Sequence, residues 1–152
     1  MSQVRWGIIS TAKIATEKVI PGMQGAPHCE IAAIASRTLD KAEQAAARLG
    51  IAKRTDRTIY NPLPNHLHVP ISIQALEAGK HVLCEKPIAL SAAEARELVA
   101  AGRRYPQLKL MEAFMYRHHP QWMRAKQLVE WVRIGRLTTI NTVFSYFNVD
   151  AD

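Results

Sequence analysis

The feature that most restricts the fold of this chain is a regular exchange of two periodicities, in which short apolar runs alternate with longer stretches of helical character. Apolar runs at 4–10, 30–36, 58–60, 81–84 and 108–113 are separated or followed by helical stretches at 13–24, 40–49, 66–78, 91–104 and 120–132. Asp40 and Ser91 are placed to cap the second and fourth of these helices, and Gly50 and Gly79 to end the second and third. Strands that recur only after a helix predict a parallel sheet covered by helices on both faces, an α/β fold.

Sheets of this kind bind ligands in the crevice beyond the carboxyl ends of their strands, so the loops after the strands carry the functional expectation. Four of them have unusual composition, at 10–13, 36–38, 61–66 and 85–87. The chain can afford a core beneath them, since 48% of its 152 residues are hydrophobic. Its 20 Lys and Arg against 13 Asp and Glu give a formal charge of +7 and favour an anionic partner. The basic residues are scattered, with small clusters at 53–57 and 103–104 and no interleaved aromatics, so no nucleic-acid partner is expected. No apolar run approaches the ~20 residues that span a bilayer, and the start lacks a secretory signal, so a cytoplasmic protein without membrane contact is expected. Cys29 and Cys84 read as buried apolar residues rather than a disulfide framework.

Five stretches carry a family likeness: "WGIISTAKIA", "IASRTLDKAEQ", "YNPLPNHLHVP", "GKHVLCEKPIAL" and "MEAFMYRHHPQW". In their order, and over nearly the whole chain, they resemble the glucose-fructose oxidoreductase and inositol dehydrogenase family, Gfo/Idh/MocA. The last stretch is most similar to the branch with NADP-linked aldose (xylose) and dihydrodiol dehydrogenases. The resemblance implies a Rossmann-type doubly wound sheet, hydride transfer between NADP or NAD and a sugar or cyclic diol, and a full-length homo-oligomer.

Aligned with the family's Gly-x-Gly-x-x-Ala turn, Ser10 and Ala12 stand at the glycine positions and Ala15 is retained. Small residues preserve close backbone approach and tight packing, while the helix start offers N–H groups and a positive dipole end to phosphate. Ser10, Thr11, Ala12, Lys13 and Ile14 are therefore the expected phosphate-binding turn, with the Ser10 and Thr11 hydroxyls adding hydrogen bonds. An NAD site would place a carboxylate at the end of the second strand, whereas this chain has Ser36 and Arg37, with Lys41 a turn later. A guanidinium forms bidentate bonds to a 2′-phosphate, so NADP is favoured over NAD.

The prolines of "YNPLPNHLHV" hold Asn61 and Asn65 beside the crevice, and the resemblance implies cofactor contacts from Asn61, Pro62, Leu63, Asn65 and His66. His66 and His68 point to different helix faces and no carboxylate or cysteine pattern completes a ligand set, so no metal is expected. Glu85-Lys86-Pro87 resembles the family signature. Lys86, partly desolvated, is the expected catalytic acid-base group, and Glu85 either orients it or bonds the nicotinamide ribose. Arg117 is implied to border the nicotinamide side.

Two departures from the family stand out. Only residues 51–57 join the second helix to the next strand, where a family member would have a further strand and helix, so a gap near 53–58 is expected in the dinucleotide-binding domain, 1–117. In a 3-2-1-4-5-6 sheet the missing strand is an edge, and its loss would expose that edge without splitting the sheet. Residues 118–152 read as a linking helix and the start of a truncated α/β substrate domain, beginning with a strand from 136 in which Ile140, Thr142, Phe144 and Tyr146 oppose Asn141, Val143, Ser145 and Phe147. A shortened gene product, a fragment and a chain with residues omitted at the junction all satisfy this pattern. Two classes of activity follow: an NADP-dependent dehydrogenase, or an NADP-binding module without turnover.

Overall fold

In the computed structural model, which describes residues 3–52 and 56–145, the alternation becomes a five-stranded, wholly parallel sheet. The strands are β1 (Val4–Ile9), β2 (Cys29–Ala35), β3 (Thr58–Asn61), β4 (His81–Cys84) and β5 (Leu110–Glu112), in the order β2-β1-β3-β4-β5. β2 is thus the edge beyond which the sequence expects a further strand. Residues 53–55, within the expected gap, lie outside the described residues.

The first helix runs over 13–24 but is not uniform: a π-helical turn, Ala15–Val19, passes into α1 (Ile20–Gln24). The Ile20 N–H reaches back five residues to the Ala15 carbonyl. Pro21 accompanies this widening, because it has no N–H and its ring crowds the carbonyl four residues earlier. α2 (Leu39–Leu49) is preceded by Thr38 in extended conformation, so Asp40 lies inside the first turn and does not occupy the cap position. There its charge still favours the positive end of the helix. Gly50 ends α2 in the left-handed conformation, φ +65°.

A 3₁₀ turn, Asn65–Leu67, leads into α3 (His68–Glu77), and Ser91 caps α4 (Ala92–Arg104) by accepting from the Glu94 N–H at 3.2 Å. Alternate residues of each strand face opposite helix layers. Ile8, Ile31 and Tyr60 pack with Ala15 and Ile20 on one face. Ile59, Val82 and Cys84 pack with Val69, Leu76 and Leu98 on the other. Gly7 in β1 makes room for Asp56, since a Cβ there would lie 2.7 Å from Asp56 Oδ2 and displace that carboxylate. Asp56 is held by Lys80, whose ammonium is 3.1 Å from that oxygen and 3.0 Å from the Asp56 carbonyl. An apolar cleft of about 470 Å³ lies beside Gly7, Ala33, Ala35, Leu39 and Ile59.

The chain divides into two compact units, the first ending at Phe114 and the second beginning at Met115, slightly before the boundary read from the sequence. The second unit contains a 3₁₀ turn, Met115–His118, and α5 (Pro120–Glu130), capped by His119 through its ring nitrogen at 3.2 Å from the Gln121 N–H. Tyr116 meets Trp122 edge to face at 6.2 Å. The strand expected from 136 does not form over 137–145, all of which are exposed. A period-two pattern becomes a strand only when its backbone groups find a partner strand, and none is present among the described residues. The rest of that expected strand, including Tyr146 and Phe147, lies outside them.

Candidate functional site

Strand register brings the unusual loops to one end of the sheet. Ile9 pairs with Ala35, Asn61 with Cys84, and Cys84 with Glu112, so the segments that begin at Ser10, Ser36, Pro62, Glu85 and Ala113 leave the sheet side by side. The chain goes from β1 outward to β2 and returns to β3 on the other side of β1. This reversal opens a crevice between the loops after β1 and β3, where ligands of such sheets bind.

The first loop is tightly organised. Ser10 has φ +155°, outside the region that L residues favour, and its Oγ accepts from the Ala12 N–H at 2.9 Å. Thr11 Oγ1 and Ser36 Oγ lie 3.2 Å apart and tie this loop to the end of β2. Both hydroxyls assigned to phosphate by the sequence are therefore engaged within the chain. Lys13 and Ile14 are exposed on the first turn, where amides have no intrahelical partner. Arg37 and Lys41 are exposed and make no ion pair among the described residues. Thr11, Lys41, Gln44 and Arg48 line a cleft of about 240 Å³ that contains no acidic side chain.

The loop after β3 departs from expectation. Asn61 is fully buried at 0% exposure, and its amide donates to the His68 carbonyl at 3.2 Å and Ser72 Oγ at 3.3 Å while accepting from the Leu63 N–H at 3.3 Å. Its side chain holds the loop from within and does not face the crevice as the sequence reading supposed. Pro62 is buried with it, Leu63 is half-buried, and Asn65 and His66 are exposed.

Glu85-Lys86-Pro87 continues β4 and is braced from the strands on either side of it, β3 and β5. The Glu85 N–H donates to the Asn61 carbonyl at 3.0 Å, and the buried Tyr60 hydroxyl donates to Glu85 Oε1 at 2.7 Å. Glu85 Oε2 accepts from the Lys86 N–H at 3.2 Å, and Glu112 of β5 accepts from the Ile88 N–H at 2.8 Å. The Lys86–Pro87 peptide bond is cis. His68, 1% exposed, has Nδ1 2.6 Å from the Pro87 carbonyl and Nε2 2.7 Å from the Leu63 carbonyl, so one ring staples the loop after β3 to the loop after β4, donating to both carbonyls only when each nitrogen carries a proton. The Lys86 side chain is exposed and has no carboxylate within ion-pair distance among the described residues. In the free chain the lysine is exposed, and Glu85 is engaged with Tyr60 and with the Lys86 N–H rather than with the ammonium.

Burial, then the hydrogen bond to Glu85 and its negative charge, pushes the Tyr60 hydroxyl far above the usual tyrosine range. The Cys84 thiol is pushed up to about 11, chiefly by burial, with the Ser72 hydrogen bond opposing and the charges of Glu85 and Glu112 adding. A thiol so held is inert, and the sequence reading of Cys84 as a buried apolar residue stands. No group of His, Cys, Asp and Glu suited to a metal occurs among the described residues. Nor is any described helix long and apolar enough to cross a membrane. Arg117 belongs to the second unit, exposed on its 3₁₀ turn.

Three residues that shape this site escaped the sequence reading: Tyr60, His68 and Glu112. For Tyr60 a signal existed, since a tyrosine inside a short apolar strand needs a partner for its hydroxyl when buried. His68 and Glu112 act through contacts far along the chain and had no local signature.

A parallel sheet with its switch point between β1 and β3, a strand-to-helix turn of small residues beside it and an ordered acid-base loop next door define a dinucleotide-binding domain. The family of oxidoreductases with an NAD-binding Rossmann fold, Gfo/Idh/MocA, matches residues 4–114, and the chain belongs to that family. It is 46% identical over 161 aligned residues to an uncharacterized oxidoreductase of Rhizobium meliloti, covering 99% of this chain and 48% of that one. It is 40% identical to a D-xylose 1-dehydrogenase (NADP(+)) of Haloferax volcanii, covering 93% of this chain and 46% of the relative. Among solved structures, a 3-ketoreductase from Actinomadura kijaniata in complex with TDP-benzene and NADP superposes with a TM-score of 0.77 at 36% identity, over 86% of this chain and 44% of that one. The chain thus spans about half the length of the relatives it matches.

Proposed function

We propose that this chain is the cofactor-binding part of an NADP-dependent oxidoreductase that transfers hydride between a sugar or cyclic diol and nicotinamide. The observation that carries the reading is the convergence, at one sheet end, of the turn at 10–14, the Ser36-Arg37 corner and the braced Glu85-Lys86-Pro87 loop. The donor set suits the dinucleotide. First-turn amides and Lys13 would face the pyrophosphate, and Ser36, Arg37 and Lys41 the 2′-phosphate, with no acidic side chain lining the adjoining cleft to repel it. The oxidoreductase of Haloferax volcanii and the ketoreductase complex, both with NADP in their descriptions, support the same choice.

When bound, the dinucleotide supplies the acceptor or donor of hydride. The neutral Lys86 amine would take the proton of the substrate hydroxyl as the carbon is oxidised, and the ammonium so formed would return it to the carbonyl oxygen in reduction. Glu85, fixed by Tyr60, holds the backbone from which Lys86 projects, so the ammonium is placed by the strand end rather than by an ion pair. In free protein Lys86 is exposed. Substrate and dinucleotide covering the crevice would exclude water and strengthen its interaction with developing alkoxide.

The test is to incubate the purified chain with NADP and a panel of aldoses and cyclic diols while following the absorbance of reduced cofactor. Turnover with any member supports the proposal. Cofactor binding without turnover assigns this chain to a binding module, and absence of both rejects the reading.

A further inference from the structure

We infer that Ser10 is a built-in competitor for the phosphate subsite, setting cofactor affinity by occupying the Ala12 amide before the cofactor arrives. The inference rests on the proposed dinucleotide reading. Two independent observations carry it. Ser10 Oγ accepts from the Ala12 N–H at 2.9 Å, filling one of the donors that a helix start would otherwise offer to an anion. In addition, Ser10 sits at φ +155°, a conformation that costs a side-chain-bearing residue and nothing of consequence to glycine. The internal hydrogen bond offsets that strain, so the free state is stabilised by the same contact that closes the amide.

The neighbouring donors are not closed in this way. Thr11 Oγ1 is engaged with Ser36 Oγ, two hydroxyls that can each turn to donate outward. The Ala12 amide, whose direction is fixed by the backbone, has the Ser10 oxygen of its own chain in front of it. A phosphate oxygen that takes this N–H must displace Ser10 Oγ, and affinity falls by the free energy of the displaced bond. A neutral hydrogen bond of this kind corresponds to about fivefold in affinity.

The experiment is calorimetric titration of NADP into the wild-type chain, Ser10→Gly and Ser10→Ala, with thermal unfolding of each free protein measured in parallel. Ser10→Gly removes both the competitor and the strain, and is expected to bind about fivefold tighter with no loss of thermal stability. Ser10→Ala removes the competitor but keeps the strained backbone; it is expected to bind tighter than wild type while unfolding at lower temperature. Wild-type binding that neither variant strengthens, or that both weaken, overturns the inference and leaves the dinucleotide reading intact. No binding by any of the three overturns the dinucleotide reading, and the inference with it.

Discussion

Tyr60 in β3 donates its hydroxyl to Glu85 Oε1, just beyond the end of β4, at 2.7 Å, and so fixes the carboxylate that precedes the catalytic candidate Lys86. Tyr60→Phe would leave a half-buried carboxylate oxygen without its donor. The expected loss of stability is about 1–3 kcal/mol, read by urea denaturation. If turnover is present it should fall with little change in NADP affinity, because the proposed phosphate and adenosine contacts are on other loops. An unchanged midpoint and unchanged turnover would show that Glu85 does not depend on Tyr60.

His68 joins the Leu63 and Pro87 carbonyls through one ring. His68→Ala should therefore loosen two loops at once, with accelerated hydrogen exchange over 62–67 and 85–88 and a stability loss of about 2 kcal/mol or more. Protection lost in one loop alone would disprove the staple.

Alkaline conditions should unfold the protein through groups that the fold keeps protonated. Cys84 titrates from 9.0 in its ordinary state up to about 11 when folded, and Tyr60 is raised further. A raised folded value means that stability is fully present below pH 9 and is lost as pH climbs toward 11, since the unfolded chain releases protons the folded chain retains. For Cys84 the slope is about 1.4 kcal/mol per pH unit across that window. Denaturation curves at stepped pH read it directly, and Cys84→Ala should flatten it. A thiol reagent at pH 8 should modify half-buried Cys29 well before Cys84.

Much of this architecture was legible because local chemistry and the fold agree. β4 matches its apolar run at both ends, and Ser91 caps α4 because a serine followed three residues later by glutamate satisfies helix-start amides on both sides: Glu94 Oε2 also accepts from the Leu90 N–H at 2.9 Å. Asp40 misled because threonine two residues earlier stands at the cap in extended conformation. Asn61 misled more deeply. Its place at a strand end suggested a ligand contact, but its amide is consumed by His68, Ser72 and Leu63, a commitment visible only once α3 is packed against β3. Lys86 was legible as a position, while its exposure and its separation from Glu85 were not, because both depend on the partner that Tyr60 provides across the sheet.

Cofactor choice is expected to rest on Arg37. NADP should bind more tightly than NAD, and Arg37→Asp should abolish or reverse the preference, since a charge-assisted bond corresponds to about tenfold or more in relative affinity. Parallel titrations of both cofactors measure the ratio. Equal affinities unaffected by the substitution would remove Arg37 as the reader of the 2′-phosphate.

Lys86→Ala should leave the fold intact, because the exposed side chain takes part in no internal ion pair among the described residues. Where the chain turns over substrate, the rate should drop by about 10²–10⁴-fold with cofactor affinity little changed. Near-normal turnover in a folded variant would move the acid-base role to another residue.

Dinucleotide binding at this sheet end is measured by titrating NADP into isotope-labelled chain and following its backbone amide resonances. Saturable binding is expected, with shifts concentrated at 10–14, 36–37 and 85–86, the segments that leave the carboxyl ends of β1, β2 and β4. Absence of saturation, or saturable shifts confined to residues away from that sheet end, would contradict it.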